Sequence, residues 1–225
     1  MSIGYVGALR FLHRTFRRYP ASHRLHMLIR FLTCPFLRTL DVLPRGGRVM
    51  DIGAGHGLYA ALAIHEGVRE VIAVEPDVRK SLLPLEMPGI RKVAGFDECM
   101  RGEFDAIVVY DATYRMPIDY RAALYRRIFD RLKPGGTFIL KDMDPDRTMK
   151  MAWARFQEWL SDTFLGVSIG SGFIYQSRAD VERALRGIGF EDFRAQAIDR
   201  GYPHSHIVYT ARRGTNAAIS LSRAP

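Results

Sequence analysis

A loop with three glycines between an apolar strand and a helix constrains this chain more than any other feature. The apolar stretch 49–52 contains the acid Asp51, and glycines follow at the alternate positions Gly53, Gly55 and Gly57. Glycine has no Cβ and tolerates positive φ, so the backbone can turn sharply and approach a ligand closely. Because a helical pattern follows, the loop lies where open α/β sheets bind nucleotide-like ligands.

The spacing of these glycines differs from that of a dinucleotide fingerprint. The fingerprint G-x-G-x-x-G needs a glycine where this chain has Leu58. Taken alone, the loop fits a plain strand-to-helix turn equally well. A second apolar run, 70–74, ends in the acid Glu75. A carboxylate there can accept hydrogen bonds from both hydroxyls of a ribose, although a solvated strand-end acid is the simpler explanation of Glu75 alone.

Apolar strand patterns continue to alternate with helical ones along the rest of the chain. The helical patterns fall at 58–64 and 118–132, and a Lys-Pro-Gly-Gly run at 133–136 ends the second of them. Ser177 and Asp180 form a predicted capping box for a later helix. Further strands are predicted at 90–94, 104–111, 137–142, 190–197 and 206–211. This alternation predicts one α/β domain.

Together, the Gly loop, Glu75 and the sequence 132–137 before a strand resemble the class I methyltransferases that use S-adenosylmethionine. The resemblance implies a Rossmann-like, seven-stranded, mostly parallel sheet over residues 45–212, with helices on both faces and an antiparallel last strand. The Gly loop would approach the methionine part of the cofactor, Glu75 would hold the ribose, and Asp97 would meet the adenine amino group. The cofactor-binding residues that the resemblance implies are Asp51, Gly53, Ala54, Gly55, Gly57, Glu75, Pro76, Asp97 and Asp111.

Methyl transfer from a sulfonium needs alignment of the reacting atoms and, for some acceptors, a base that removes a proton. Asp111 closes the fourth strand, Tyr114 lies three residues later, and Asp142 ends the fifth strand, so these three are the predicted catalytic residues, in that order. For each acid taken alone, a strand-end residue that caps the next helix is the simpler explanation. His204 and His206 are explained as solvated loop positions, and no metal site is predicted.

The sequence at the end of strand four narrows the choice of acceptor. Residues 110–114 lack the Asn/Asp-Pro-Pro-aromatic run of family members that methylate exocyclic amines of bases or glutamine amides. The predicted acceptor is therefore a small molecule or a lipid-like one, with O- or C-methylation preferred. A helical insertion at about 145–175 carries aromatic residues that suit an apolar acceptor, although a helix core would explain them as well. The alternatives are a nucleic-acid methyltransferase and a non-catalytic cofactor-binding protein.

Positive charge is concentrated before the Gly loop. Residues 1–48 hold nine arginines and one acid, which accounts for +8 of the formal net charge of +9. Residues 1–44 are predicted to form a basic amphipathic helical arm that packs on the sheet domain, covers the acceptor as a lid, or meets an anionic membrane surface. Nucleic acid is the less favoured partner, and the lid is preferred. The apolar faces of the arm are Leu9, Leu12 and Phe16, then Leu25, Leu28, Ile29 and Leu32.

The compartment is predicted from cysteine usage and from the N-terminus. Cys34 and Cys99 have no metal-ligand spacing and are interpreted as reduced thiols. Arginines interrupt the N-terminal apolar residues, so a secretory signal is not expected. The predicted location is cytoplasmic, with peripheral contact at the inner membrane surface as an option, and residues 213–225 are expected to form a flexible tail.

Overall fold

A computed structural model describes residues 3–77, 80, 85–94, 103–145 and 174–215. Several predictions lie outside these residues. They concern Asp97, Cys99, nearly all of the insertion at about 145–175 and most of the tail 213–225.

Two helices and a 3-10 helix precede the sheet. Helix α1 spans Tyr5–Thr15, helix α2 spans Ala21–Thr33, and the 3-10 helix spans Phe36–Val42. Leu12 and Phe16 are buried, as predicted for the first apolar face. Helix α2 differs from the expectation for a packed helix, because it is anchored by Met27 and Phe31, while Leu25, Leu28, Ile29 and Leu32 are exposed.

The sheet has seven strands: β1 Arg48–Ile52, β2 Glu70–Val74, β3 Ile90–Val93, β4 Phe104–Tyr110, β5 Leu132–Asp142, β6 Phe190–Ala197 and β7 Ile207–Arg213. Their order in the sheet is β3-β2-β1-β4-β5-β7-β6. Strand β7 runs antiparallel to both of its neighbours, β5 and β6, and the other pairs are parallel. This topology confirms the predicted Rossmann-like sheet with an antiparallel last strand.

Helices cover both faces of the sheet, because alternate strand residues point to opposite sides. Helix α3 spans Leu58–His65, α4 spans Ile118–Arg131 and α5 spans Arg178–Ile188, with a second 3-10 helix at Thr113–Arg115. Val49 of β1 belongs to the core shared with α1, α2 and α3, and Met50 belongs to the core shared with α4 and α5. No described helix combines the length and apolarity that crossing a bilayer requires.

Local signals set the start of α5 and the end of α4. The backbone N–H of Asp180 donates to Ser177 Oγ at 3.2 Å, so the predicted capping box begins α5. The Lys-Pro-Gly-Gly run ends α4 at Arg131, as predicted, but strand β5 begins at once instead of at residue 137. Leu132 pairs with Phe104, and the register of β4 and β5 then shifts. This early pairing is tertiary, so the turn residues could not indicate it.

Candidate active site

A cavity of about 510 Å³ opens at the carboxyl ends of β1, β2 and β4. Parallel sheets of this kind bind their ligands at that edge. The wall on the other side is helix α2, which contributes His26, Met27 and Arg30. The remaining described lining residues are Phe36, Asp51, Ile52, Gly53, Ala54, Gly55, His56, Leu58, Tyr59, Val74, Glu75, Pro76, Lys80, Ala94, Tyr110, Asp111, Ala112, Tyr114, Met116, Tyr120 and Leu124.

Both ends of the Gly loop have a positive φ that favours glycine, and Gly53 also lacks the space for a side chain. Gly53 has φ 77°, and a Cβ there would stand 2.9 Å from the Cβ of Ala112. Gly57 has φ 87° and precedes α3, and a Cβ there would stand 2.6 Å from Leu85 Cδ2. The loop therefore lies directly against the residue after Asp111. This close approach joins the loop after β1 to the end of β4.

Glu75 closes the Gly loop from the end of β2. Its Oε2 accepts the backbone N–H of Gly55 at 2.6 Å, and its Oε1 accepts that of Asp77 at 2.9 Å. The carboxylate is 7% exposed and lines the cavity beside Pro76. Each carboxylate oxygen has a second lone pair for a further donor. The predicted contact with ribose hydroxyls stays a prediction, to which the structure adds a role in shaping the loop.

Asp51 places a buried carboxylate on the cavity wall. It is 1% exposed, and its Oδ2 has no hydrogen-bond partner among the described residues. Burial, and then the nearby Glu75, raise the pKa of Asp51 to about 7. Buried carboxylates normally have a partner. A cationic ligand group would supply it, and S-adenosylmethionine carries two, an ammonium and a sulfonium. The residues of this wall therefore fit that cofactor.

Three histidines join helix α2 to the Gly loop. His23 Nδ1 lies 2.7 Å from His56 Nε2, and the ring centroid of His26 lies 5.5 Å from that of His56. Burial, and then the neighbouring His26 and His23, lower the pKa of His56 to about 4. Within the described ranges, no three His, Cys, Asp or Glu side chains are placed to hold a metal. His56 is therefore neutral at neutral pH, and its contact with His23 joins α2 to the loop.

Asp111 lines the cavity directly after β4, inside a group of charged side chains. Its φ of 53° is in the left-handed region, and its side chain is 3% exposed. One oxygen is ion-paired with Lys141 Nζ, and the other lies 3.2 Å from an Arg30 guanidinium nitrogen. Burial alone would raise the pKa of Asp111, but Lys141 and Arg30 lower it to about 2. A carboxylate held in this way is a weak base.

Cys34 and His206 pack against this charged group. Cys34 Sγ donates to Asp111 Oδ2 at 3.5 Å, and burial, with Asp111 next, raises the pKa of the thiol. His206 is 2% exposed, with Nε2 2.9 Å from the carbonyl oxygen of Thr33. Burial, and then Lys141, lower the pKa of His206 to about 3. The explanation of His206 as a solvated loop residue is therefore wrong, because the end of α2 covers it.

Asp142 and Tyr114, the other two predicted catalytic residues, lie in different surroundings. Tyr114 lines the cavity, and its ring centroid lies 5.9 Å from that of Tyr175. Asp142 is 9% exposed and accepts hydrogen bonds from the Thr113 hydroxyl and, at 2.7 Å, from the backbone N–H of Met143. Burial raises its pKa to about 6. It is not among the described residues that line the cavity, and its catalytic role stays a prediction.

Aromatic side chains form the wall next to Asp111. Phe36 stacks on Tyr110 with ring centroids 4.7 Å apart, and Tyr59 lies 5.2 Å from Tyr110. The hydroxyl of Tyr110 is buried and has no hydrogen-bond partner among the described residues. This end of the cavity therefore combines apolar surface with the guanidinium of Arg30, whose side chain is 34% exposed.

The sequence patterns did not indicate Arg30, Lys141 and Phe36 as residues of the site. A signal existed for Lys141, because a lysine after the apolar run 138–140 at the end of a central strand requires a partner. Arg30 and Phe36 come from the arm, and nothing local indicates that they face the sheet.

Comparison with known proteins gives the family. Residues 23–194 match the methyltransferase domain family. The chain belongs to this family. A ribosomal protein L11 methyltransferase from Symbiobacterium thermophilum is 28% identical over 132 residues, which are 53% of this chain but only 40% of the relative. The chain thus spans less than half the length of that curated methyltransferase.

Solved methyltransferases share the fold of this chain. A Thermotoga maritima enzyme, described as a possible histamine N-methyltransferase, has a TM-score of 0.62 at 19% identity, covering 90% of this chain and 99% of the other. A Burkholderia thailandensis 1,6-didemethyltoxoflavin N1-methyltransferase with bound S-adenosylhomocysteine has a TM-score of 0.59 at 20% identity, covering 94% and 91%. The prediction of a methyltransferase that uses S-adenosylmethionine is confirmed for family, fold and cofactor.

Proposed function

We propose that this methyltransferase methylates an oxygen, or an acidic carbon, of a small-molecule or lipid-like acceptor that is anionic when it reacts. The observation that carries the proposal is one cavity whose lining includes Asp51 and the Gly loop as well as Arg30 and Asp111. Asp51 fits the cationic cofactor, and the other end is left for the acceptor.

Charge at the acceptor end favours an anionic nucleophile. Arg30 and Lys141 share the single carboxylate of Asp111, so these three side chains together carry one net positive charge. The guanidinium of Arg30 reaches the cavity. A cation held there lowers the pKa of an acceptor hydroxyl or enol and opposes a protonated amine. This supports O- or C-methylation over N-methylation.

The walls around Arg30 support an apolar or aromatic acceptor body. Phe36 and Tyr110 present stacked rings, and Met27 and Met116 add flexible apolar surface. Ligand sites that are mostly apolar with a few convergent polar groups orient a small molecule through the polar groups. Arg30 would orient the acceptor here, and the rings would hold its body.

Catalysis is proposed to proceed mainly by positioning. The bound cofactor supplies a methyl group already activated by its sulfonium. Asp111 is a weak base with a pKa of about 2, so we propose that it holds Arg30 and Lys141 in place instead. Tyr114 is then the predicted catalytic residue best placed to contact an acceptor, because it lines the cavity.

The location in the cytoplasm is likewise proposed, supported by Cys34, which is a buried free thiol.

The test uses methyl-labelled cofactor with a panel of phenols, carboxylic acids, 1,3-dicarbonyl compounds and primary amines. We expect labelled product from the first three classes. Arg30→Met should lower turnover roughly 10²–10³-fold, as loss of one oriented electrostatic group does elsewhere, and Arg30→Lys should recover part of it. Arg38→Met is the matched control, because Arg38 bonds the carbonyls of Ile198 and Arg200 away from the cavity. Faster methylation of amines, or an equal loss in both variants, would contradict the proposal.

A further inference from the structure

Helix α2 exposes an apolar stripe, which we define as Leu25, Leu28, Ile29 and Leu32. The exposed fractions of these residues are 58%, 44%, 51% and 45%. Single exposed leucines are ordinary on protein surfaces. These four, however, have the spacing i, i+3, i+4, i+7, so they form one continuous row along the helix.

The opposite face of α2 lines the cavity and packs on the core. His26, Met27 and Arg30 line the cavity, and Phe31 is buried in the core below. At about 100° per residue, these positions point away from the apolar stripe. The helix therefore cannot turn the stripe inward without removing Arg30 from Asp111. The stripe is an outward face of the helix that walls the active site.

Arginines border the apolar stripe on the side of α1. One groove is lined by Arg10, Arg14 and Leu28 together with Leu9 and His13, and the adjoining groove is lined by Arg24, Leu25 and Leu28 among others. Arg10, Arg14 and Arg24 are exposed and form no ion pair with any other described residue. The sequence from residue 3 to residue 40 contains no acid. The surface thus has an apolar centre and a cationic border.

We propose that the apolar stripe and its bordering arginines dock this methyltransferase on the surface of an anionic lipid bilayer. Apolar side chains enter the boundary between headgroups and acyl chains, and arginines pair with anionic headgroups. A second copy fits the surface poorly, because residues 3–40 contain no acid that could pair with the arginines of the other copy. Nucleic acid would pair with the arginines but would leave the leucines without an apolar partner.

Docking on a bilayer would also bring a lipid-like acceptor to the active site, and this delivery of the acceptor rests on the proposed function. The apolar stripe and the cavity wall are two faces of the same helix, so they are separated by about one helix diameter, ~10 Å. A lipid-like acceptor that leaves the bilayer beside α2 would reach Arg30 without crossing open water. The docking itself needs neither acceptor nor turnover, so it can be tested separately.

The experiment measures co-sedimentation of the full chain with two kinds of vesicle, phosphatidylcholine alone and phosphatidylcholine mixed with phosphatidylglycerol. We expect binding to the mixed vesicles only, weakening as salt rises, because the screening length falls from about 10 Å at 0.1 M to about 3 Å at 1 M. Replacing Arg10, Arg14 and Arg24 by Gln should lower partitioning roughly 100-fold, at about fivefold for each arginine. The matched control replaces three other exposed arginines by Gln: Arg131 of α4, Arg194 of β6 and Arg212 of β7.

A second variant separates the apolar contribution from the charge. Replacing Leu25, Leu28 and Ile29 by Ser should lower partitioning at least tenfold, since each apolar side chain withdrawn from water contributes substantially. Val42→Ser with Ile118→Ser is its control, because these residues are 46% and 52% exposed outside the stripe. Calorimetric titration with S-adenosylhomocysteine should give the wild-type affinity in every variant, which shows that each still folds.

Three results would overturn the docking proposal. The first is that the wild-type chain does not bind anionic vesicles. The second is that a variant and its control lose vesicle binding equally. The third is RNA binding that depends on Arg10, Arg14 and Arg24 and is unchanged by the serine replacements. The last would assign the surface to nucleic acid. None of them alters the acceptor assay, so failure of docking and failure of the proposed function are distinguishable.

Discussion

The two ends of the cavity are built in different ways. The end that we propose for the cofactor combines Asp51 of β1, the glycines that follow this strand, and Glu75 directly after the neighbouring strand β2. The end that we propose for the acceptor joins Arg30 of the arm, Asp111 directly after β4 and Lys141 of β5. The first end is held by hydrogen bonds between carboxylate and backbone, and the second by ion pairs between distant side chains.

The two ends also differ in the partners of their buried carboxylates and therefore in the pKa of these groups. At the cofactor end a buried carboxylate has an oxygen without a partner among the described residues, and its pKa is raised to about 7. At the acceptor end a buried carboxylate has two cationic partners, and its pKa is lowered to about 2. The carboxylate of Asp51 therefore lacks a cationic partner among the described residues, whereas Arg30 provides a cation beside Asp111. Asp51 lies one residue before the end of β1 and Asp111 one residue after the end of β4. Their different surroundings, more than this small difference in position, separate their roles.

The largest effect is expected when Glu75 is replaced. Glu75→Ala leaves the backbone N–H groups of Gly55 and Asp77 without their acceptor. Glu75→Ala also removes the predicted acceptor of both ribose hydroxyls. Each such charge-assisted hydrogen bond contributes about 1.5–3 kcal/mol, so the affinity for S-adenosylhomocysteine, measured by calorimetry, should fall roughly 10²–10⁴-fold. Glu70→Ala is the control at the start of the same strand, where Glu70 pairs with Arg48 at 2.9 Å. Equal affinity in both variants would contradict the predicted contact between Glu75 and the ribose.

The second prediction concerns the stability of the acceptor end. Lys141 is 0% exposed, so Lys141→Met leaves Asp111 buried with a single cationic partner, Arg30. Breaking a buried pair from one side costs about 3–5 kcal/mol of unfolding free energy, measurable by urea denaturation. Asp111→Asn in the same chain should recover part of this loss. Lys133→Met is the control, because Lys133 is 41% exposed and pairs with Asp105 near the surface; there the loss should be about 0–1 kcal/mol.

The contrast between the ends explains how much the sequence could predict. The Gly loop, Glu75 and the Ser177 cap follow rules that act over a few residues, and the structure places them as expected. Arg30 reaches Asp111 across 81 positions of sequence, a contact that no local rule encodes. The early start of β5 and the burial of His206 under Thr33 have the same cause, since both depend on a distant partner.

The third prediction uses the raised pKa of Asp51. If the ammonium of S-adenosylhomocysteine pairs with Asp51, binding requires the carboxylate to be ionised. Because its pKa is about 7 before binding, affinity should fall by up to tenfold per pH unit as pH decreases below about 7. Calorimetry across this range checks the slope, and Asp51→Asn should remove it. A slope that persists in Asp51→Asn would assign the titration to another group.

The smallest effect is expected where α2 meets the cofactor end. The pKa of His56 is lowered to about 4 in the folded protein, against an ordinary value of about 6.5. Between these values the unfolded chain binds a proton that the folded chain does not, so the contribution of His56 to stability is lost as pH falls from about 6.5 to about 4. Urea denaturation over this window should show a shallower loss in His56→Gln than in the wild type.

The exposed His13 of α1 provides the control for this experiment. The stability of His13→Gln should depend on pH as that of the wild type does, because His13 takes no part in the contact between His23 of α2 and His56 of the Gly loop. If both variants follow the wild type, the histidines do not couple α2 to the loop by protonation. If only His56→Gln differs, then α2 is linked to both ends of the cavity, through His56 at the cofactor end and through Arg30 at the acceptor end. Acid would then loosen the first contact before the second, since the partner of Arg30 stays ionised down to a pKa of about 2.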